Sequence, residues 1–311
     1  MNPAWSVILL TTLTGAGQGL FLALYAVDLS GDMGPEAAPV QFITVGSAVA
    51  IVLLVAGLVA SFFHLGHPER AWRAAAMWRT SWLSREVIVL PAFVAAVFVY
   101  GVAHHYGWTA TYTVGAIAAL LCIALFICTG MVYACLKFLQ EWHTPLTLIN
   151  FFLLGLASGL MLAAALAAYI AAEWTEPLGM AAVITTALAL LMRAAALVRN
   201  ARIKPKSSLQ TAIGVKHPRI EQKAQGQMGG SFNTREFFHG RGLPFLRAVK
   251  WIFLALAFAL PVLLAGIGLA QRMPALLVSA FIVQYVGLLA ERWFFIAQAR
   301  HPQNLYYQVI S

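Results

Sequence analysis

His64-Leu-Gly-His67-Pro-Glu-Arg70-Ala-Trp72-Arg73-Ala-Ala-Ala-Met-Trp78-Arg79-Thr-Ser-Trp82-Leu-Ser-Arg85-Glu86 is a polar island between two long apolar runs, and its reading decides the fold. It carries two histidines, two glutamates, four arginines and three tryptophans. His64 closes the run before it and Glu86 opens the run after it. If each run crosses a bilayer, the island is the loop of a membrane hairpin and both residues stand at one face. An ionisable group at the rim of a span is costly to bury, which makes it a functional candidate. Arg and Trp are also the ordinary residues of membrane interfaces, so helix-end anchoring explains the same pattern.

The rest of the chain supports the bilayer. Of 311 residues, 61% are hydrophobic and 10% charged, and the mean hydropathy is +0.80. Soluble domains carry about 25% charge, so an integral membrane protein is indicated. A span takes about 20 apolar residues. Eight runs qualify, at roughly 5–27, 43–65, 86–103, 113–136, 148–172, 179–198, 248–270 and 275–298. The opening Met-Asn-Pro-Ala-Trp-Ser has no basic region and reads as the start of a retained span.

Eight crossings place both termini and the loops after runs two, four and six on one side. That side holds nineteen of the twenty Lys and Arg and six of the eleven acids; the other holds Arg272 and five acids, Asp28, Asp32, Glu36, Glu173 and Glu176. The balance is +13 against −4, together the net +9 of the chain. Basic residues concentrate in cytoplasmic loops, so the expected fold is an all-α, eight-span membrane protein with both termini cytoplasmic. The short 64–86 loop alone carries four arginines and fixes the sign.

Gly15-Ala-Gly17-Gln18-Gly19-Leu20-Phe-Leu22-Ala23 overlays Gly155-Leu-Ala-Ser-Gly159-Leu160-Met-Leu162-Ala163 at a constant offset. Glycines four apart allow close helix approach. The expected organisation is two four-helix halves, 1–147 and 148–311. The second contains a basic, Gly/Gln/Ser-rich loop at about 199–247. Phe232, Arg235, Phe237 and Phe238 within that loop read as anchors for a partner surface, against an alternative in which its basic residues meet anionic lipid.

Cys122, Cys128 and Cys135 match no metal or haem spacing and read as packing residues. A bundle haem needs histidines inside its spans. All eight (His64, His67, His104, His105, His143, His217, His239 and His301) fall in loops or at span ends, which argues against one. Coupled transporters place ionisable residues near the midplane. Apart from Glu291 and Arg292 near an end, the runs are read as lacking charge, and a stand-alone transporter fits poorly. Quinone reduction fits better. It needs an apolar slot plus one or two groups that hydrogen-bond the carbonyls and exchange protons, and a histidine with a carboxylate suits that task.

The composition goes no further, but a resemblance does. His64-Leu-Gly-His-Pro-Glu-Arg-Ala followed by Leu83-Ser-Arg-Glu86 resembles the membrane-anchor subunit of dimethyl sulfoxide reductase, which reads H-L-G-x-P-x-R-A and then L-S-x-E. The likeness extends to the eight-span plan, the Gly-rich first span and Gly287-x-x-x-Glu291-Arg292-x-x-Phe295. It implies a chain without haem or metal that holds an iron–sulfur subunit and a molybdopterin catalytic subunit at a bacterial inner membrane. It also implies a quinone (ubiquinone or menaquinone) site with His64 and Glu86 as its residues and Arg85 beside them. Arg70 and Arg73 are then docking residues. Two features depart from that enzyme: the 199–247 loop is longer, and the charge count turns the site face to the cytoplasm. That orientation is similar to the anchors of cytoplasmically oriented membrane-bound sulfite dehydrogenases, as are the opening Asn2-Pro-Ala-Trp-Ser and Met228-Gly-Gly-Ser-Phe-Asn-Thr-Arg-Glu-Phe-Phe-His-Gly-Arg241. The expected reaction is oxidation of sulfite on the partner with reduction of quinone here; the alternative is a quinol-dependent sulfoxide reductase.

Overall fold

The computed structural model describes residues 1–31, 39–63, 65–221, 223 and 237–306. Among them there is no strand. Eight helices are long and apolar enough to cross a membrane: α1 (Trp5–Gly31), α2 (Val40–Phe62), α3 (Trp82–His105), α4 (Thr111–Ala134), α5 (Pro145–Ile170), α6 (Ala172–Ala201), α8 (Leu243–Ala270) and α9 (Pro274–Ala297). The short helices α7 (Leu209–Ile213) and α10 (Gln303–Tyr306) lie outside the eight spans, and a 3-10 helix, Pro68–Met77, occupies the first polar loop. The protein is a multi-pass membrane protein.

The helices run further than the apolar runs, because local chemistry rather than hydropathy sets their ends. Ser81 caps α3, its hydroxyl accepting from the Ser84 amide at 3.3 Å, so the helix starts four residues before Glu86. Thr144 caps α5, and Pro145 and Pro274 each occupy a first helical turn, where a missing N–H costs nothing. α6 starts at Ala172, seven residues early, taking Glu173, Glu176 and Pro177 into its first turns. α6 also runs on to Ala201 and α8 starts at Leu243, so the connection between them is shorter than 199–247.

α1 and α5 are the most buried spans. α1 packs on α2 and α5, α5 on α6 and α9, and α3 on α4 and α2. The two Gly-rich stretches that overlay in sequence face each other here. A Cβ on Gly159 would lie 2.0 Å from the carbonyl carbon of Gly19, and one on Gly19 would lie 2.2 Å from the Gly155 oxygen. Only hydrogen fits at this seam, which lets dispersion contacts form along its length in a medium offering no hydrophobic drive between helices. Around it pack Leu20, Phe21, Leu24, Met161, Ala163 and Ala164, all essentially inaccessible.

α8 contains one π turn, Ala255–Ala259. A π turn displaces backbone carbonyls from the α ladder. Gln284 of α9 answers the Ala257 oxygen at 3.4 Å and also donates to Thr186 of α6 at 3.1 Å. Gly287 sits against the turn, where a Cβ would come 2.2 Å from the Ala257 nitrogen. At the end of the bundle away from Glu86, Asp28 Oδ2 accepts from the Tyr100 hydroxyl at 2.7 Å and lies 2.9 Å from His104 Nε2, fastening α1 to α3.

Candidate functional site

Glu86 is the fifth residue of α3 and 7% exposed, so its carboxyl lies inside the bundle, about one turn from the helix start. Thr129 of α4, itself buried, donates its hydroxyl to Glu86 Oε1 at 2.6 Å. Among the described residues Oε2 has no hydrogen-bond partner and Glu86 has no ion pair. One oxygen is thereby fixed and the other left for a ligand or a proton. One turn on from Thr129, Tyr133 packs its ring between Phe151 (5.3 Å, stacked), Phe295 (5.4 Å) and Trp142 (5.1 Å).

Arg85 points elsewhere. Its Nε and Nη2 donate to the carbonyls of Trp78 (2.9 Å) and Arg79 (2.8 Å), and its guanidinium lies 4.2 Å from the centre of the Trp82 ring. It ties the end of the polar loop to the first turn of α3, which fixes where Glu86 emerges. Chain neighbours on a helix do not share a face.

A second polar constellation lies between α5, α6 and α9. Arg193 Nε stands 2.7 Å from Glu291 Oε1, with exposures of 2% and 1%, and Arg292 Nε is 3.9 Å from the other oxygen of Glu291. The Arg292 guanidinium lies 3.7 Å from the centre of the Phe151 ring. These groups border a small chamber of about 10 Å³, room for about one water, whose wall also includes Glu141, Asn150 and Gln298. Arg193 Nη2, Glu291 Oε2 and Asn150 Oδ1 are buried without hydrogen bonds, a demand that water satisfies in such sites. Neither Glu86 nor Thr129 lines this chamber, and it is too charged and too small for a tailed quinone.

The sequence matches the DMSO reductase anchor subunit (DmsC) family over residues 1–307. The chain belongs to the DMSO reductase anchor subunit family. It is also 56% identical, over the whole of both chains, to a protein of Allochromatium vinosum described as a sulfite dehydrogenase subunit.

For this anchor subunit the residues singled out in the sequence separate as follows. His64, Phe232 and Arg235 lie outside the described residues. Glu86 is buried with Thr129. Arg70 is exposed, 3.7 Å from Glu69, and Arg73 is exposed beside Trp72. Phe237 is half-buried, stacked at 4.2 Å on His301 of the same chain, and Phe238 is half-buried too. Next to them Arg241 donates its amide to His239 Nδ1 at 3.1 Å. Burial, and then the chain's amino-terminal charge, push His239 down to about 4, and the same causes lower His301. Phe237 is thus seated on the C-terminal segment of this same chain. No cluster of metal-binding side chains occurs among the described residues. Two residues of these constellations were not singled out from the sequence, although each leaves a visible trace there. Thr129 is a hydroxyl in the apolar fourth run, and Arg193 is a lone charge inside the sixth, counted there only as a loop-side charge.

Proposed function

We propose that this chain is the membrane-anchor and quinone-site subunit of a three-subunit molybdenum/iron–sulfur oxidoreductase. In this reading electrons pass from cytoplasmic sulfite oxidation to a quinone in a bacterial inner membrane. The observation that carries it is the Glu86 carboxyl, buried one turn inside α3 beside the His64–Glu86 loop, with one oxygen held by Thr129 and the other open. Full-length likeness to a subunit of a sulfite dehydrogenase supports the substrate class, and the excess of Lys and Arg on the site face supports its cytoplasmic orientation.

Quinone reduction to quinol consumes two electrons and two protons. The electrons come from the iron–sulfur subunit, which receives them from the molybdopterin subunit; both dock on the site face, with Arg70 among their contacts. His64 hydrogen-bonds one quinone carbonyl, passes it one of the two protons and is reprotonated from the same membrane face. Glu86 delivers a proton from Oε2 to the other and is reloaded from the same membrane face. Thr129 keeps Oε1 occupied, so the proton-carrying oxygen is always the one turned to the quinone. Arg85 acts on the site through the loop and does not touch the ligand. Proton uptake and sulfite oxidation then share one side, and turnover moves no charge across the membrane. Residues 1–147 and 148–311 form two halves joined along the α1–α5 seam.

The test is Glu86→Gln in the purified complex. Sulfite-driven quinone reduction is expected to fall to background while an artificial dye still takes electrons. Undiminished quinone reduction would refute the reading. The family's description favours a second reading, quinol-dependent reduction of an S-oxide. Quinol-driven dimethyl sulfoxide reduction without sulfite oxidation would select it.

A further inference from the structure

The 3-10 helix Pro68–Met77 buries none of its residues, an unusual state for ten ordered residues. With three residues per turn, side chains three apart eclipse. Three rows result. Pro68, Ala71, Ala74 and Met77 form one row, with Ala71 and Ala74 half-buried and Met77 62% exposed, and the helix packs against α3. Glu69, Trp72, Ala75 and Trp78 form a second row, with Ala75 half-buried and the indoles 72% and 53% exposed. Arg70, Arg73, Ala76 and Arg79 form a third. Arg73 and Arg79 lean on the neighbouring row, 5.5 Å from Trp72 and 5.4 Å from Trp78.

The level of this ledge is fixed by its ends. α2 stops at Phe62 and α3 starts at Trp82, both spans, and the apolar residues at the junctions (Phe62, Phe63 and Leu83) are exposed on the bundle exterior. The ledge therefore leaves and re-enters the bilayer surface within nineteen residues, 63–81. Indole rings are most favourable at the headgroup level, where the ring is shielded and the N–H stays wet. A guanidinium stacked on such a ring stands at the height of the lipid phosphates, and basic residues there are attracted to anionic headgroups.

We propose that residues 68–79 form an in-plane membrane ledge. The Trp72–Ala75–Trp78 row rests in the phospholipid headgroup zone, Arg73 and Arg79 meet lipid phosphates, and Arg70 is left to the aqueous side. The ledge sets the height of the loop leading to Glu86. This rests on the membrane fold and the row geometry, so it stands or falls independently of the quinone reading.

Spin labels on Ala74, Ala75 and Ala76 report one row each without removing a Trp or Arg. They are placed by cysteine substitution in a Cys135→Ser background, because Cys122 and Cys128 are buried. The full chain and the assembled complex go into nanodiscs of phosphatidylethanolamine and phosphatidylglycerol, and collisions with oxygen and with a water-soluble nickel chelate are compared. The label at 75 should favour oxygen several-fold over the label at 76, in the chain alone and in the complex alike. Adding Trp72→Ser and Trp78→Ser should turn position 75 toward water. A water-accessible label at 75, or one covered only when partner subunits bind, would overturn the proposal in favour of a protein-docking face. A period of 3.6 in place of 3 would overturn the row assignment.

Discussion

Gly159→Ala tests the α1–α5 seam with a single methyl group. The added Cβ would lie 2.0 Å from the Gly19 carbonyl carbon, 2.1 Å from the Leu20 nitrogen and 2.3 Å from the Gly19 Cα. All three are backbone atoms of a buried helix, so no rotamer change relieves them. Real Cβ contacts stay beyond about 3.0 Å, and the helices must part by at least about 1 Å, loosening the fully buried Leu20 and Met161 alongside. Overpacking of a tight core costs about 1–3 kcal/mol, and a backbone clash belongs at the upper end. Ala exceeds Gly in helix propensity by about 1 kcal/mol, which offsets part of this and leaves a net loss near 2 kcal/mol. Gly15→Ala is the internal control. It lies one turn away, but its Cβ would meet the Gly155 Cα at an ordinary 3.5 Å, so only the propensity gain applies. The assay is thermal loss of the monodisperse species in detergent. Gly159→Ala should melt below the parent and Gly15→Ala at or above it. Equal melting of all three proteins, or equal loss in both variants, would refute the seam.

Three further outcomes are expected. Thr129→Val keeps the shape but deletes the 2.6 Å bond to Glu86; bonds to charged groups contribute about 1.5–3 kcal/mol, so quinone turnover should drop roughly tenfold or more, with Thr129→Ser restoring most of it and dye reduction unmoved. Breaking the buried pair by Arg193→Met or Glu291→Leu alone should cost about 3–5 kcal/mol and lower the recovered yield, while the double variant recovers much of the loss; a double variant no better than either single one would show that the pair is not the cause. Seating of the 237–242 segment should weaken as pH falls from 6.5 towards 4. Above 6.5 His239 is neutral whether seated or free, whereas between 6.5 and about 4 the free ring gains a proton that the seated one refuses; hydrogen exchange at 237–242 reads this, and His239→Gln should flatten the response.

The eight crossings, the polar loop and the candidate carboxylate were legible because each is a local signal. A run of about 20 apolar residues has one solution in lipid, since every backbone amide must be satisfied within the helix. Helix starts were less legible. Ser81 and Thr144 start their helices by hydrogen bonding, which hydropathy does not register, so Glu86 lies one turn inside a span and not at its rim. Arg85, adjacent to Glu86 in the chain, turned out to bind loop carbonyls, because neighbours on a helix point in different directions.

What the sequence by itself determined, then, is the number of spans, the charge asymmetry of their loops and the short list of residues able to do proton chemistry. The tertiary structure alone decided which faces meet: Gly19 on Gly159, Thr129 on Glu86, Arg193 on Glu291. The reason is that a helix apolar on all sides carries no stripe to say which side is inward. In lipid its orientation is chosen by close packing and by the few polar partners it must satisfy, and these come from helices far away in the chain.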